Sequence, residues 1–332
     1  MSYPLKYIFL TVIIILLFFL TLFFGSVSIP CGDVLNALTG NGEGTASFIV
    51  IHSRLPMAIT ALFAGAGLAT AGLLLQTAFR NPLAGPSILG ITSGASFGVA
   101  LVMLLFGGML SAGSFAVGGY AAIIAGAFVG SLAVMGILLM LSTILKNGLM
   151  LLITGIMIGY LVSSAITLLN FSASAEGIQG YVMWGMSSFN GVSVSRLPFF
   201  CGVTFLGIII ALLLIKPLDL ILLGDSYARN LGVNLTKVRN MLLISTGILT
   251  AVITAFCGPV SFLGLAVPHI SRIFFPTDSH RILIPATLLT GGAIGLLCGL
   301  ICVVPSVSVL PLNAVTPLIG APVVIWVLLR KK

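Results

Sequence analysis

The side chains able to do acid–base, nucleophilic or metal chemistry are few in this 332-residue chain: six Asp and Glu, three His and five Cys. Asp33, Glu43, Glu176, Asp219, Asp225 and Asp278 all fall in expected loops or at helix ends, so no carboxylate pair is set up for general acid–base work. The histidines lack His, Cys or acidic neighbours at metal-ligand spacing, and His269 reads as a satisfied polar residue. The cysteines contain no C-x-x-C, so no metal site, cofactor or disulfide framework is implied; Cys298 and Cys302 share a helix face as small packing residues. No G-x-x-x-x-G-K-[ST] phosphate loop occurs, so the chain has no such means of hydrolysing ATP. Ion-coupled carriers commonly hold an ionisable group within the membrane, and none falls there, although sodium can be held by hydroxyls and carbonyls alone. An enzyme and an ion-coupled secondary transporter are thus the weaker readings.

Two polar features remain. Ser163, Thr167 and Asn170 fall on one helix face at helical spacing. Such a stripe in lipid must face protein or water, and hydroxyls also satisfy themselves on their own preceding turn. The second feature is residues 222–240, with one acid and three bases between long apolar segments. Asp225 suits a helix start and stands one turn before Arg229 in the favourable acid-first order, while Gly232 suits a left-handed cap. Asn234 then starts a second short helix carrying Lys237 and Arg239. The expectation is a folded, water-exposed knob: Gly224 and Gly232 set its bends, Ala228 leaves room for close packing by a partner, and Leu231 offers an apolar contact.

The elements that position these features are membrane helices. With 59% hydrophobic and 6% charged residues, no soluble core could hide this apolar surface, and the runs have helix-span length without the alternation of a membrane barrel. The net charge of +8 comes from bases scattered through loops, which fits membrane topology rather than nucleic acid. Ten spans are expected in a single domain over 1–332. The first two run from Tyr7 to about Gly25 and from Arg54-Leu55-Pro56 to about Gln76. A third carries Gly90, Gly94 and Gly98, a turn follows at Gly107-Gly108 to Gly113, and the fourth covers about Phe115 to Leu141. The chain returns at Lys146-Asn147-Gly148. The fifth span is about Leu149 to Asn170, the sixth Leu197 to Ile215, and the seventh Met241 to Phe256. A short eighth is kinked at Pro268, a ninth carries Gly291, Gly295 and Gly299, and a turn from Pro305 to Pro311 precedes the tenth. The small residues suit close helix approach. All 14 Lys and Arg except Arg54 and Arg196 then fall on one side, which places both termini inside the cell. Gly85-Pro86 through Gly90 and Gly258-Pro259 through Gly264 echo each other from opposite sides, as an inverted repeat would.

Residues 222–240 resemble the cytoplasmic coupling loop of the iron-chelate and cobalamin permeases of bacterial ABC importers, which share a Gly-acid-x-x-Ala-Arg-x-Leu-Gly-Val run. The likeness extends through Ser53-Arg54-Leu55-Pro56, Arg80-Asn81-Pro82-Leu83-Ala84-Gly85-Pro86, Gly258-Pro259-Val260-Ser261-Phe262-Leu263-Gly264 with Val267-Pro268-His269, and Leu318-Ile319-Gly320-Ala321-Pro322. The resemblance implies a type II importer permease in the cytoplasmic (inner) membrane, working as a homodimer. ATPase subunits would bind inside, on Gly224, Asp225, Ala228, Arg229, Leu231 and Gly232. A substrate-binding protein would dock outside, with Arg54 as the one external charge in a matching motif. The passage would be lined by Ser163, Thr167 and Asn170 facing Asn313, Thr316 and Gly320. The cargo expected is an iron(III)-siderophore-type chelate, with cobalamin or haem as the alternatives. Many relatives carry a second arginine where Met57 stands, and some another in the last external loop, which here has no charge.

Overall fold

The computed structural model describes residues 2–42, 44–106, 109–112, 115–145, 148–304 and 309–330. Glu43, the glycines of the turn at 107–113, Lys146-Asn147, the first part of the turn at 305–311 and the last two lysines lie outside the described residues.

Among the described residues, ten apolar helical segments appear in the expected order. Six are long enough to cross a bilayer: α1 (Tyr3–Phe23), the run Gly44–Ala78, α6 (Tyr120–Ile144), α7 (Gly148–Ser172), α12 (Leu235–Cys257) and α14 (His280–Val303). A seventh is a pair, α9 (Leu197–Leu213) and α10 (Ile215–Leu222), bent by 48°. Three are shorter: α5 (Ile91–Ala100) with its π-helical extension to Leu105, α13 (Leu263–Phe274) and α15 (Leu312–Arg330). The second span opens with α3 (Gly44–Ile49), passes through a π-helical turn at Val50–Arg54 and continues as α4 (Leu55–Ala78). Two short helices complete the set, α2 (Cys31–Leu38) and α8 (Ala175–Gly185), with the six-residue α11 (Asp225–Asn230).

Boundaries differ from expectation: the second span opens at Gly44, ten residues before Arg54, and two others are shifted. The fourth span starts at Tyr120, because Met109–Ala112 and Phe115–Gly118 pair antiparallel ahead of it, with Met109 opposite Gly118. The helix begun at Asn234 is not short: it runs unbroken into the seventh span as α12.

The bundle is layered. In their most apolar stretches 78% of α4 and of α12 is buried, against 17% of α1 and of α7. The inner helices therefore pack on their own chain, and the outer ones leave most of their apolar surface exposed. Glycines set the closest approaches: α4 meets α14 where Gly65 faces the Gly291 carbonyl, and α5 meets α6 where Gly94 and Gly98 face Gly130 and Gly126. A Cβ on Gly98 would stand 1.9 Å from the Gly126 carbonyl oxygen. Between α4 and α13 the cause is specific. Pro268 has no N–H to offer the Gly264 carbonyl one turn back, and that oxygen is turned against Gly72, where a Cβ would come within 1.6 Å.

The polar ends of the helices gather as the charge distribution suggests. At one end Lys6 donates to the Phe274 carbonyl, Tyr7 to Ile282, Arg239 to Leu145 and Arg272 to Gln76. At the other, the Tyr120 hydroxyl donates to the Phe256 carbonyl under the Arg196 guanidinium. The two Gly-Pro segments lead alike into helices with left-handed first caps, Gly90 at φ 77° and Phe262 at φ 65°.

Candidate functional site

The 222–240 stretch folds as a capped knob. Gly224, at φ 117°, turns the chain out of α10 into α11. The far end closes on Gly232 at φ 84°, with the Gly232 N–H donating to the Arg229 carbonyl and the Val233 N–H to the Ala228 carbonyl. This is the paired 5→2 and 6→1 bonding of a Schellman cap, which satisfies carbonyls a helix end leaves orphaned. The Asn234 side chain then accepts from the Lys237 N–H at 3.0 Å and starts α12. Only the tight turn 231–234 separates the knob from α12, a span of the inner layer.

Three side chains of the knob are used otherwise than the sequence suggests. Asp225 pairs with Arg80 at 2.6 Å, not with Arg229. The Arg80 guanidinium also donates to the Ile221 carbonyl at 3.1 Å, so it stands at the base of α11, while Arg229 is left exposed. Both partners of the ion pair are about half exposed, and such pairs contribute about 0.2–1 kcal/mol. Ala228 is wholly buried, in a cluster with Leu218, Ile221 and Val238, so the room it leaves is taken by its own chain. The outward face is apolar instead: Leu222, Leu223, Tyr227 at 66% and Leu231 at 57% exposure. Tyr227 and Leu231 stand four residues apart on α11 and its C-terminal cap, the spacing of one helix face, and Leu223 joins them from the end of α10 across the Gly224 turn.

Behind the knob, His280 is held between Asp219 of α10, with Nδ1 and the backbone N–H each 2.7 Å from Oδ1, and the Thr77 hydroxyl of α4, 2.8 Å from Nε2. A carboxylate only accepts, so the proton sits on Nδ1 and Nε2 accepts from Thr77. The order hydroxyl–imidazole–carboxylate is the one that activates a nucleophile, and no such group was expected from the scattered histidines. Yet Thr77 is 4% and His280 1% exposed, so no substrate reaches the hydroxyl. The arrangement is a clamp between α4, α14 and the base of the knob. Among the described residues no group of three or more His, Cys, Asp or Glu could hold a metal ion.

Arg54, expected as an exposed docking charge, is 5% exposed. Nη1 donates to the carbonyls of Leu22 at 2.8 Å and Phe23 at 2.9 Å, and Nη2 donates to Val27. A helix end carries orphan carbonyls and partial negative charge, and this cation is buried because it serves the end of α1. Arg54→Gln should lower stability by about 3 kcal/mol, since charge-assisted bonds to buried acceptors carry roughly 1.5–3 kcal/mol each. The thermal midpoint of the detergent-purified protein should fall, and binding-protein affinity per folded molecule should not; an unchanged midpoint with lost affinity would restore the docking role.

The two halves of the expected passage lining lie apart within one chain. Ser163 and Thr167 are exposed on α7, which packs against α5 and α6. They edge a groove of about 300 Å³ shared with α5 and α8. Asn170 is half-buried on the same helix, with a buried Oδ1 that has no partner. Asn313, Thr316 and Gly320 instead turn toward their own chain. Thr316 is buried and bonds the Leu312 carbonyl, and Gly320 admits Phe262 and Ala266 at the distance of a close contact. Asn313 is a knot: Oδ1 accepts from the N–H and hydroxyl of Ser261, and Nδ2 donates to the carbonyls of Gly185 and Pro259, both at 2.8 Å, and to the Ser187 hydroxyl. It holds residues 258–262 to the end of α8, where Ser187 and Phe262 both adopt left-handed backbone.

Known proteins share this architecture. A profile of the FecCD transport family matches residues 13–330. The vitamin B12 import system permease protein BtuC of Klebsiella pneumoniae is 32% identical over 331 residues, covering 97% of this chain and 93% of that protein. The protein of the same name from Salmonella typhi is 34% identical over 328 residues, with 97% and 94% covered. A solved structure described as an inward-facing conformation of a metal-chelate type ABC transporter superposes over the whole of both chains, with TM-score 0.84 and 29% identity. PsaBC from Streptococcus pneumoniae shares the fold alone, with TM-score 0.51 and 14% identity over 81% of this chain and 88% of that one. The helical order, the capped knob and the matched length agree: this chain belongs to the FecCD transport family.

Proposed function

We propose that the protein is the permease subunit of an ABC importer in the bacterial cytoplasmic membrane, with both termini and the α11 knob on the cytoplasmic side. The observation that carries this reading is the knob: a helix capped at its far end, joined by a tight turn to an inner-layer span, with apolar side chains turned outward at the polar end of the bundle. Exposed apolar surface on a polar end marks an interaction site, and a separate ATPase subunit is the partner the reading requires. A substrate-binding protein delivers cargo at the opposite end, and a second copy of the chain supplies the other wall of the passage beside α7. For cargo, the similarity to vitamin B12 permeases over nearly the full chain supports cobalamin above the siderophore first expected. The solved metal-chelate transporter supports an iron chelate as the second reading.

The test is a double variant, Tyr227→Ala with Leu231→Asp. Both side chains are exposed, so the permease should insert and purify normally. ATPase subunit recovered with it should fall more than tenfold, and ATP-driven uptake in vesicles should be lost. Full ATPase recovery would refute the coupling role of α11.

A further inference from the structure

The knob is joined to the bundle by two arms that lead to different helices. Through the turn 231–234 it continues into α12, whose first turns are tied to α6: Arg239 donates to the Leu145 carbonyl, and the Ser142 hydroxyl to the Asn240 side chain. Through Gly224 it is joined to α10, which is set off from its own span. Pro217 has no N–H for the Leu213 carbonyl four residues back, and α9 and α10 bend by 48° at Leu214. A sharp break at a helix end can serve as a hinge. What holds α10 is therefore what it touches, not the helix it continues.

It touches α14 and the end of α4. Leu214, Leu218 and Ile221 lie in one buried cluster with Leu283 and Ile284 of α14. Apolar packing is non-directional, so it resists separation of the two helices but not sliding. Arg80 reaches Ile221 and Asp225 from the end of α4, but that ion pair is about half exposed and screened by salt. The remaining tie is the His280 ring. Ser279, at the cap of α14, makes no side-chain bond to its own first turn. Asp219 of α10 takes that place, with Oδ1 2.7 Å from both the backbone N–H and Nδ1 of His280, where a helix start favours a carboxylate. The other ring nitrogen accepts from the Thr77 hydroxyl of α4. Short bonds on opposite sides of one planar ring, itself 1% exposed, thus fix the register of α10 against α14 and α4 together. Beyond them α4 and α14 meet backbone to backbone at Gly65, Gly291 and Gly295, so the two helices move as one body.

On the importer reading, we propose that His280 is the positioning residue that passes movement of the knob to α4 and α14, with Leu214 as hinge and α10 as lever. Cutting either side-chain bond of the ring leaves the outward face of the knob untouched. ATPase should still bind and hydrolyse ATP, and less of that hydrolysis should drive cargo.

The experiment uses the complete complex of permease, ATPase and binding protein in proteoliposomes. It reads cargo imported per ATP hydrolysed, with whichever of cyanocobalamin and a ferric siderophore the wild-type complex carries. Thr77→Val removes the donor on one side of the ring at nearly constant shape, and Asp219→Ala removes the acceptor on the other. Each should lower import per ATP at least fivefold with ATPase recovery unchanged, while Thr77→Ser, which keeps the hydroxyl, should stay within twofold of wild type. Because both act through one ring, the double variant should be no worse than the poorer single one. Unchanged import per ATP in Thr77→Val, equal impairment in Thr77→Ser, or losses that multiply in the double variant overturns the proposal. The two Thr77 variants decide the matter even where Asp219→Ala does not fold. A wild-type permease that recovers no ATPase sinks the importer reading and this proposal with it; full recovery with unchanged import per ATP sinks the proposal alone.

Discussion

Gly98→Leu should yield almost no folded permease from the membrane. A Cβ there would meet the Gly126 carbonyl oxygen at 1.9 Å and its carbon at 2.6 Å, both backbone atoms of α6 that cannot swing aside. The helices would have to separate, and Gly94 and Gly130 sit in the same row, at 2.5 and 2.0 Å from the facing carbonyls by the same measure. Separation at one point therefore forfeits the close contacts along the whole α5–α6 seam. Overpacking a tight core costs about 1–3 kcal/mol when side chains can yield and more when they cannot; with backbone on both sides the cost should exceed 3 kcal/mol. Gly136→Leu on α6 is the control, because its Cβ meets nothing within 4 Å. Size-exclusion profiles and thermal midpoints of both variants decide the matter, and a monodisperse Gly98→Leu protein with a wild-type midpoint would show that the seam is loose.

Asn313→Leu should be nearly as damaging, although the two side chains are close in size. The change strips partners from the carbonyls of Gly185 and Pro259 and from the N–H and hydroxyl of Ser261. Each buried polar group left unpaired costs about 1–3 kcal/mol, so about 3–6 kcal/mol is at stake. Asn313→Asp separates packing from bonding: it keeps the acceptor for Ser261, loses both donors and sets a carboxylate against two carbonyls. Both variants should speed amide exchange across 258–262 more than a hundredfold, the equivalent of about 2.8 kcal/mol at 1.4 kcal/mol per decade. Protection equal to wild type in either would mean that the segment is held by something other than Asn313.

Signals that act over a few residues are legible in the sequence, and those between distant residues are not, for physical reasons. Gly232 and Asn234 announced a cap and a helix start because capping is decided within four residues. The partner of Asp225 was not legible, since Arg80 lies 145 residues away while Arg229 stood at the right local spacing. Arg54 misled in the same way: an arginine at a helix start looks exposed until another helix end arrives to use it. Lys237 and Arg239 make the start of α12 look like a separate short helix, yet a span can simply continue past the apolar layer. The face of Ser163 and Thr167 was visible as a period, but Thr92 and Ser93, which line the same groove, belong to another helix and only the fold adds them. Helix-ten residues Asn313, Thr316 and Gly320 share a face as expected, and that face looks into its own chain.

The Asn313 knot also bears on how the chain is made. Residues 258–262 are irregular backbone ahead of α13, a helix of 12 residues that at about 1.5 Å per residue spans roughly 18 Å, well short of the roughly 30 Å of hydrocarbon. Irregular backbone at that depth is tolerated only when protein satisfies it, and here the satisfying amide lies 52 and 54 residues downstream of the groups it serves. During synthesis, then, this part of the chain emerges before its partner exists. It cannot settle into its native place as it leaves the ribosome, and must wait in the insertion machinery or at the bilayer surface until the final helix arrives. The segment ahead of α13 is accordingly completed only once α15 has arrived to close it.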